Sequence, residues 1–373
     1  MNIGILKETK EFERRVAISP EIAKKIISEN HSITIEPGAG DSSFMLDQKY
    51  ADAGATISDN LSSADIILKV NAPSDNELDK FKKGTTIISF FQIKDEISNI
   101  QKYLDNELTL FSMSHIPRTS LAQNMDALSS QSNIAGYKSV IVGSDHIANY
   151  MPLLMTAAGT IQPAKVLILG AGVAGLAAIA TAKRLGAQVF AFDVRPIVKE
   201  QVESLGAKFV EVESESDEGV GEGGYAKEVS DEYKQKQSEL IKETIAKMDL
   251  VITTALIPER PAPILIDTAM VNSMKQGSAI IDLAALNGGN CELTQSDKII
   301  NHNGITIDGR TNFPSTMPSH SSQLYAKNLY NLFSYLYKGD EMDFNDEIVN
   351  GSMLINKGKV NNETVQKFLD KDN

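Results

Sequence analysis

The chain has one cysteine, Cys291, and no tryptophan among its 373 residues. A single cysteine excludes an intramolecular disulfide, so we expect a reducing compartment, the cytoplasm. Long hydrophobic runs are also missing, because the longest uncharged stretches, residues 147–164 and 166–182, are interrupted by prolines and glycines. Since a bilayer-spanning helix needs about 20 predominantly apolar residues, neither stretch predicts a membrane span, and we expect a soluble chain.

Positive charge is scarce, since 36 lysines and arginines face 49 aspartates and glutamates and leave a net charge of −13. Such a surface repels phosphate, which excludes nonspecific binding to nucleic acid or anionic lipid. The N-terminal sequence MNIGILKETKEFERR lacks the apolar segment of a secretory signal peptide, so we expect the chain to begin as mature protein. The five histidines show no metal-ligand spacing such as HxxxH, and we expect no metal site.

Short apolar runs alternate with charged amphipathic stretches in two series. The first series comprises residues 3–6, 33–35, 66–70, 86–91 and 108–111, and the second includes residues 166–170, 188–193, 250–253, 278–283 and 305–307. This alternation predicts βαβ units with parallel sheets. At this length and 42% hydrophobic composition, two cores are expected. We therefore predict an α/β fold of two Rossmann-like domains with parallel sheets.

A Pro/Ser-rich stretch, TNFPSTMPSHSS at residues 311–322, separates the second series from an amphipathic C-terminal segment. That segment has the apolar spacing to pack back on the first domain as a helix. We therefore predict an insertion, with one domain of residues 1–128 plus 322–373 and an inserted domain of residues 129–321. Within the insertion, six acidic residues between Glu211 and Glu222 precede two glycines, and this composition predicts an exposed mobile loop.

A GAGVAG sequence follows the apolar run VLIL and opens an alanine-rich helix, the context in which G-x-G-x-x-G indicates a dinucleotide site. Its first glycine permits the tight turn, the second lets the backbone approach a pyrophosphate, and the third allows close packing of helix on strand. The helix N-terminus favours the anion. The cofactor-binding residues predicted in this turn are Gly170, Gly172, Val173, Ala174 and Gly175. An ordinary strand-to-helix turn is the alternative interpretation.

Asp193 ends the next apolar run, 23 residues after Gly170. A carboxylate at this place accepts hydrogen bonds from the adenosine ribose hydroxyls and repels a 2′-phosphate, so we predict NAD(H) rather than NADP(H). Arg195 leaves an alternative open, because an arginine here recognises a 2′-phosphate in other proteins or is simply a solvated charge.

Motifs from residue 118 onward resemble the proton-translocating NAD(P) transhydrogenases, in the portion of those enzymes that binds NAD(H). They are RTSLAQNMDALSSQSNIAGYKSV, MTAAGTIQPAKVLILGAGVAGLAAIATAKRLGA, FDVRPIVKEQVESLGAKF, GGYAKE, ITTALIPERPAP and IIDLAALNGGNCEL, in this order across residues 118–293. The resemblance implies a loop that holds the nicotinamide end of the nucleotide and positions it for hydride transfer. The residues of that loop are Arg118, Gln123, Asp126 and Ser129. Without the resemblance, they would be interpreted as a polar exposed turn.

The resemblance also assigns further residues to the cofactor. Contacts with the adenosine side fall to Asp193, Val194 and Arg195, and a mobile loop carrying Gly224 and Tyr225 closes on the nucleotide. The motif ITTALIPERPAP adds Thr254, Ala255 and Leu256 to the cofactor-binding set. Asp282, in IIDLAALNGGN, is interpreted either as a group near the cofactor at a strand end or as a turn cap.

As partners, the resemblance implies an NADP(H)-binding beta subunit and a membrane-spanning transhydrogenase subunit. Hydride would pass directly from NADH to NADP⁺ on the partner subunit, coupled to proton translocation by the membrane partners. It further implies a homodimer in the cytoplasm, peripherally associated with the inner membrane. The chain itself carries the motif for one nucleotide site.

Alanine dehydrogenase shares the N-terminal motif and is the competing interpretation. Arg15, in ERRVAISP, matches the arginine that holds the keto-acid carboxylate in that enzyme. The lysine and histidine that the enzyme also needs are replaced by Asn71 and Gln92, which do not exchange protons near neutral pH. Lys69 lies two residues earlier on the same strand face and leaves a displaced lysine open. A non-enzymatic NAD(H)-sensing binding module is a third interpretation.

Overall fold

The computed structural model describes residues 1–211, 231–257, 260–339 and 342–372. The chain divides into two compact units, which we call unit 1 (Met1–Gln131 with Pro314–Asn373) and unit 2 (Ser132–Phe313). Unit 2 is inserted into unit 1, as the sequence predicts. None of the helices in the described ranges combines the length and apolarity that crossing a bilayer requires.

Strands are numbered in chain order over the described residues. They are β1 (Asn2–Ile5), β2 (Ser32–Ile35), β3 (Thr56–Ile57), β4 (Ile66–Asn71), β5 (Thr86–Phe90), β6 (Thr109–Ser112), β7 (Leu154–Thr156), β8 (Gly159–Ile161), β9 (Lys165–Leu169), β10 (Gln188–Phe192), β11 (Lys208–Phe209), β12 (Leu250–Thr253), β13 (Ala279–Asp282), β14 (Ile299–His302), β15 (Ile305–Asp308), β16 (Met353–Asn356) and β17 (Lys359–Val360). The predicted apolar runs of both series lie on these strands.

Helices are numbered in the same way. They are α1 (Pro20–Ser28), α2 (Asp47–Asp52), α3 (Asp75–Leu78), α4 (Ile93–Glu96), α5 (Ile100–Asp105), α6 (Ala127–His146), α7 (Val173–Arg184), α8 (Lys199–Ser204), α9 (Asp231–Ile245), α10 (Thr268–Ser273), α11 (Pro318–Leu336), α12 (Glu347–Ser352) and α13 (Glu363–Asp372). Local chemistry explains their starts: α1, for example, begins with a proline, and the Ser19 hydroxyl accepts a hydrogen bond from Ile22 N at 3.3 Å.

The sheet of unit 1 has the strand order β17-β16-β6-β5-β4-β1-β2-β3. Strands β1 to β6 are parallel to their neighbours and follow the doubly wound order 3-2-1-4-5-6, so the order reverses between β1 and β4. Strands β16 and β17 add an antiparallel edge. Ligands of doubly wound proteins bind at such a reversal, outside the carboxyl ends of the strands.

The sheet of unit 2 has the order β11-β10-β9-β12-β13-β15-β14. Its parallel strands repeat the 3-2-1-4-5-6 order, with the reversal between β9 and β12. Strand β14 is antiparallel to β15, because only Asn303 and Gly304 join them and both have positive φ, as a two-residue hairpin turn requires. The predicted α/β fold with parallel sheets is confirmed; both sheets are mostly parallel, and each has an antiparallel edge. Strands β7 and β8 form a separate hairpin.

Residues 314–322 of the Pro/Ser-rich stretch belong to unit 1, which places the boundary at residues 313/314 where the sequence suggested 321/322. The reason is its hydroxyl groups: Ser315 Oγ accepts from Arg14 N at 2.7 Å, and Ser322 Oγ accepts from Val16 N at 3.0 Å. The other boundary falls at 131/132 within α6, three residues beyond the expected 128/129, and Gln131 is hydrogen-bonded inside unit 1 to Arg15.

Candidate nucleotide site

The glycine turn of unit 2 joins the buried strand β9 to α7. Gly170 has φ +102°, a conformation that side chains disfavour, and its N donates to Phe192 O at 2.8 Å. A Cβ on Gly170 would lie 2.5 Å from Thr254 Oγ1, and one on Gly175 would lie 1.9 Å from Gly170 O. Gly172 faces open space, with its nearest neighbour 4.0 Å from such a Cβ. Packing therefore requires the outer two glycines, while the middle one leaves room for a ligand's approach.

Val173 and Ala174 form the first turn of α7, which begins after Gly172. Because Gly172 has no side chain, no capping oxygen competes for the N–H groups at this helix end. These groups and the helix dipole suit the anion of a dinucleotide, so the turn fits the group that the sequence predicts. Its role toward a ligand stays a prediction.

Asp193 follows β10 and is largely buried, at 8% exposure. Its Oδ2 accepts from Ala171 N at 2.7 Å and from Arg195 Nη2 at 2.9 Å. Its Oδ1 accepts from Arg195 N and Arg195 Nε, both at 2.9 Å. The carboxylate thus binds the glycine turn directly and accepts four hydrogen bonds, of which three come from Arg195.

Arg195 forms a two-pronged ion pair with Asp193, and this hydrogen bonding raises the pKa of the guanidinium. The interpretation of Arg195 as a solvated charge is therefore wrong, because its guanidinium donates two hydrogen bonds to the Asp193 carboxylate. Recognition of a 2′-phosphate by the same side chain would bring that anion beside the Asp193 carboxylate. Val194, between them, is half-buried against the core of unit 2.

A third segment, Thr254 to Leu256, reaches the glycine turn from the end of β12. Thr254 N donates to Leu169 O at 2.8 Å, and Thr254 Oγ1 donates to Gly170 O at 3.0 Å. Leu256 is 44% exposed. The structure therefore brings together the turn, Asp193, Val194, Arg195 and Thr254 to Leu256, all within unit 2.

Asp282 lies at the end of β13, fully buried, and its carboxylate accepts hydrogen bonds from five uncharged donors. They are Thr253 Oγ1, Ala284 N, Asn290 N, Cys291 N and Thr294 Oγ1, at 2.7 to 3.1 Å. This geometry is that of a turn cap, the second of the two sequence interpretations. Asn290, which the sequence did not single out, bonds to Ala255; the only local signal was its place in GGN after Asp282.

The four residues of the predicted nicotinamide loop lie in unit 1, at and before the start of α6. Arg118 and Gln123 are exposed, and Asp126 and Ser129 are half-buried. Asp126 accepts from Ser129 N at 2.8 Å and from Ser129 Oγ at 2.6 Å, which orders the first turn of the helix. Gly224 and Tyr225 lie outside the described residues.

The reversal point of unit 1 holds the residues on which the alanine dehydrogenase interpretation depends. Arg15 is 7% exposed and donates from Nε and Nη2 to the two oxygens of Glu13, at 2.8 and 2.7 Å. Its Nη1 donates to Gln131 Oε1 at 2.9 Å. Burial raises the pKa of Glu13, but the Arg15 guanidinium outweighs it and lowers that pKa to about 2. The guanidinium is thus engaged by a carboxylate of its own chain.

The other polar groups at this point are also paired. Lys69 is 1% exposed and donates to Glu77 Oε1 at 2.6 Å. Asn71 Nδ2 donates to Glu8 Oε2 at 3.0 Å and to Glu13 Oε2 at 3.1 Å, while Gln92 is exposed. Lys69 is therefore a buried ion-pair member, and the two positions expected to carry acid/base groups hold amides.

Most of the chain matches a family of known proteins. The family model described as "Alanine dehydrogenase/PNT, N-terminal domain" matches residues 4–135, and "Alanine dehydrogenase/PNT, C-terminal domain" matches residues 139–363. An NAD(P) transhydrogenase subunit alpha polypeptide of Rhodospirillum rubrum is 44% identical over 374 residues, covering 96% of this chain and 97% of that protein.

Solved structures agree with the sequence matches. A transhydrogenase structure from Sinorhizobium meliloti has a TM-score of 0.88 and 42% identity, covering 96% of this chain and 100% of that one. An L-alanine dehydrogenase structure has a TM-score of 0.84 but 25% identity, covering 100% and 99%. The resemblance that the motifs of residues 118–293 indicate is confirmed, and the inserted two-domain α/β fold is shared with both structures.

Proposed function

Because the chain belongs to the alanine dehydrogenase and NAD(P) transhydrogenase family, we propose that it is the NAD(H)-binding component of a proton-translocating NAD(P) transhydrogenase. One contrast between its two reversal points carries the proposal. In unit 2 the reversal point has an open glycine turn. In unit 1 the arginine that would hold a keto acid is bound to Glu13, and amides stand where an acid and a base would be needed.

NAD(H) binds along the carboxyl ends of β9, β10 and β12. The N–H groups of the glycine turn and α7 hold the pyrophosphate. Asp193 receives the adenosine ribose hydroxyls. The Arg195 side chain lies on both carboxylate oxygens, so the ribose takes its place, while the bonds from Ala171 N and Arg195 N stay. A 2′-phosphate at the same place would face the Asp193 carboxylate, which favours NAD(H) over NADP(H).

The reaction is direct transfer of a hydride from the nicotinamide of NADH to that of NADP⁺ on an NADP(H)-binding beta subunit. No proton is exchanged at the reacting carbons, so the chain's contribution is positioning and exclusion of water. Arg118, Gln123, Asp126 and Ser129 act at the nicotinamide end, where a carboxamide needs paired donors and acceptors. The hydrogen-bonded pair of Asp126 and Ser129 supports this role, because it keeps both side chains in a defined orientation.

Coupling to proton translocation belongs to a membrane-spanning partner subunit, and the chain is peripherally associated with the inner membrane from the cytoplasm. We also propose a homodimer. The hairpin of β7 and β8 supports it: Leu153, Met155 and Ile161 are 51%, 72% and 49% exposed, and strands of three residues are not stable as an isolated hairpin. A second copy of the chain would cover these apolar side chains.

The test uses the isolated chain and then the chain with its partner. We expect the chain alone to bind NADH, seen as a change in nicotinamide fluorescence, and to show negligible reduction of NAD⁺ with alanine. Addition of an NADP(H)-binding beta subunit should produce hydride transfer from NADH to an NADP⁺ analogue. Robust turnover with alanine alone would overturn the proposal in favour of alanine dehydrogenase. NADH binding without any rate gain from the partner would favour an NAD(H)-sensing module.

A further inference from the structure

The segment after β12 is hydrogen-bonded to the buried side-chain amide of Asn290. Asn290 is fully buried; its Oδ1 accepts from Ala255 N at 3.0 Å, and its Nδ2 donates to Ala255 O at 2.9 Å. The same Nδ2 donates to Pro263 O at 2.8 Å. One side chain, 35 residues away in sequence, therefore satisfies both backbone groups of Ala255. Only an amide of this length offers one acceptor and two donors together.

Asn290 is fixed in turn by the carboxylate of Asp282. Asn290 N donates to Asp282 Oδ2 at 2.8 Å, and Thr253 Oγ1 donates to Asp282 Oδ1 at 2.9 Å. The close approach depends on Gly289, which has φ +86° and where a Cβ would lie 2.7 Å from Asp282 Oδ2. Gly289 thus allows the chain to approach the Asp282 carboxylate, and the hydrogen bond to this carboxylate positions Asn290.

Thr254 connects this arrangement to the glycine turn. Its Oγ1 donates to Gly170 O at 3.0 Å, and the peptide that follows it is the Ala255 peptide held by Asn290. Hydrogen bonds therefore run from the end of β13 through the end of β12 to the end of β9, which are neighbours in the sheet. All three strand ends lie at the edge where a doubly wound sheet binds its ligand.

We propose that Asn290 is a positioning residue of the nucleotide site, which fixes residues 254–256 against the glycine turn before the nucleotide binds. The inference rests on the proposed function, because it takes the turn to be the NAD(H) site. Its physical basis is preorganisation: a segment that is already ordered loses less conformational entropy when the ligand binds. Without the amide, the carbonyl groups of Ala255 and Pro263 lose their partner and the segment is free to shift.

The experiment compares NADH affinity in variants of the full chain. N290D keeps the shape and the acceptor but removes both donors, and N290A removes the whole amide. V271A is the matched control, since it truncates a fully buried core residue of α10 in the same unit. We expect N290D and N290A to weaken NADH binding about tenfold or more. We expect V271A to weaken it less than about twofold, although its stability against urea is similar to that of the amide variants. Because two amide variants are measured, loss of folding in one leaves the other as the test.

A double-mutant cycle separates positioning from a structural role. T254V removes the hydroxyl bond to the glycine turn, so combined with N290A it should weaken binding by less than the product of the two single effects. Combined with V271A, the effects should multiply. The inference would be overturned if the effects of T254V and N290A on NADH affinity also multiplied, or if both amide variants bound NADH as the wild type does. In either case, NADH binding by the wild-type chain would leave the proposed function standing. Failure of the wild-type chain to bind NADH would instead remove the proposed function.

Discussion

Units 1 and 2 have the same order of parallel strands, and therefore the same kind of crevice between the first and fourth strands. In unit 2, residues 170–172 alone separate β9 from α7, and no side chain caps that helix. In unit 1, residues 6–19 separate β1 from α1, whose N-terminus is capped by Ser19. The crevice of unit 1 contains three carboxylates, Glu8, Glu13 and Glu77, bonded to Arg15, Lys69 and Asn71.

The difference shows how two units of one topology divide their tasks. A short glycine turn leaves helix N–H groups and open space for an anionic ligand. The longer loop of unit 1, residues 6–19, places carboxylates at the corresponding position, where they pair with polar and charged side chains of the same unit. Topology thus provides the location of a site, and the residues after the first strand decide whether a ligand or the chain itself occupies it.

The largest effect should come from breaking the internal pairing in unit 1. E13A leaves the Arg15 guanidinium buried without its carboxylate, and we expect the free energy of unfolding to fall by about 3–5 kcal/mol. Urea unfolding measures it, with E21A, an exposed glutamate in the first turn of α1, as the control that should change by about 0.5 kcal/mol or less. An E13A variant within about 1 kcal/mol of the wild type would show that the pair does not stabilise unit 1.

Acid should weaken the same pair. The folded pKa of Glu13, about 2, lies below its ordinary value of 4.5, so its contribution to stability is present above pH 4.5 and is lost as the pH falls toward 2. The pKa difference corresponds to about 3 kcal/mol. Unfolding free energies of wild type and E13Q between pH 6 and 3 test this: the wild type should lose more stability than E13Q. Parallel pH dependences would contradict the assignment to Glu13.

The glycines of unit 2 should separate packing from binding. G175A places a Cβ 1.9 Å from Gly170 O, so we expect a loss of stability of about 1–3 kcal/mol. G172A meets open space and should change stability by less than about 1 kcal/mol, yet weaken NADH binding about tenfold, because its methyl group lies where the pyrophosphate approaches. Unfolding and NADH fluorescence titration give the two readouts. A G172A variant with unchanged affinity would remove the turn from the site.

The smallest effect concerns the choice between nucleotides. D193N removes the charge that pairs with Arg195 and leaves this arginine able to bind a 2′-phosphate. We expect the ratio of NADH to NADPH affinity to fall about tenfold. In the double variant D193N/R195Q, the gain in NADPH affinity should disappear. If D193N kept the wild-type ratio, discrimination would have to come from other residues.

Much of the fold and some of the site follow from local sequence. The buried strands β9 and β12 are short apolar runs, and Ser19 and Pro20 indicate where α1 begins. The glycine turn and Asp193 are recognisable because their spacing is set by one βαβ unit. The sequence does not predict strand β3, because two residues are too few to show the alternation of apolar and polar side chains. It does not predict the antiparallel edges either, because apolar runs do not specify the direction in which strands pair.

The amino-acid sequence by itself determined the family, the insertion of one α/β unit into another and the position of the glycine turn. The family and the turn depend on motifs whose residues are close in the chain, and the insertion follows from the amphipathic segment after residue 322. The tertiary structure alone decided that Arg15 binds Glu13 and Gln131, that Arg195 pairs with Asp193 and that Asn290 is hydrogen-bonded to Ala255. The physical reason is that a buried polar group must find a partner, and several partners are available in sequence. Only packing shows which one lies within hydrogen-bonding distance.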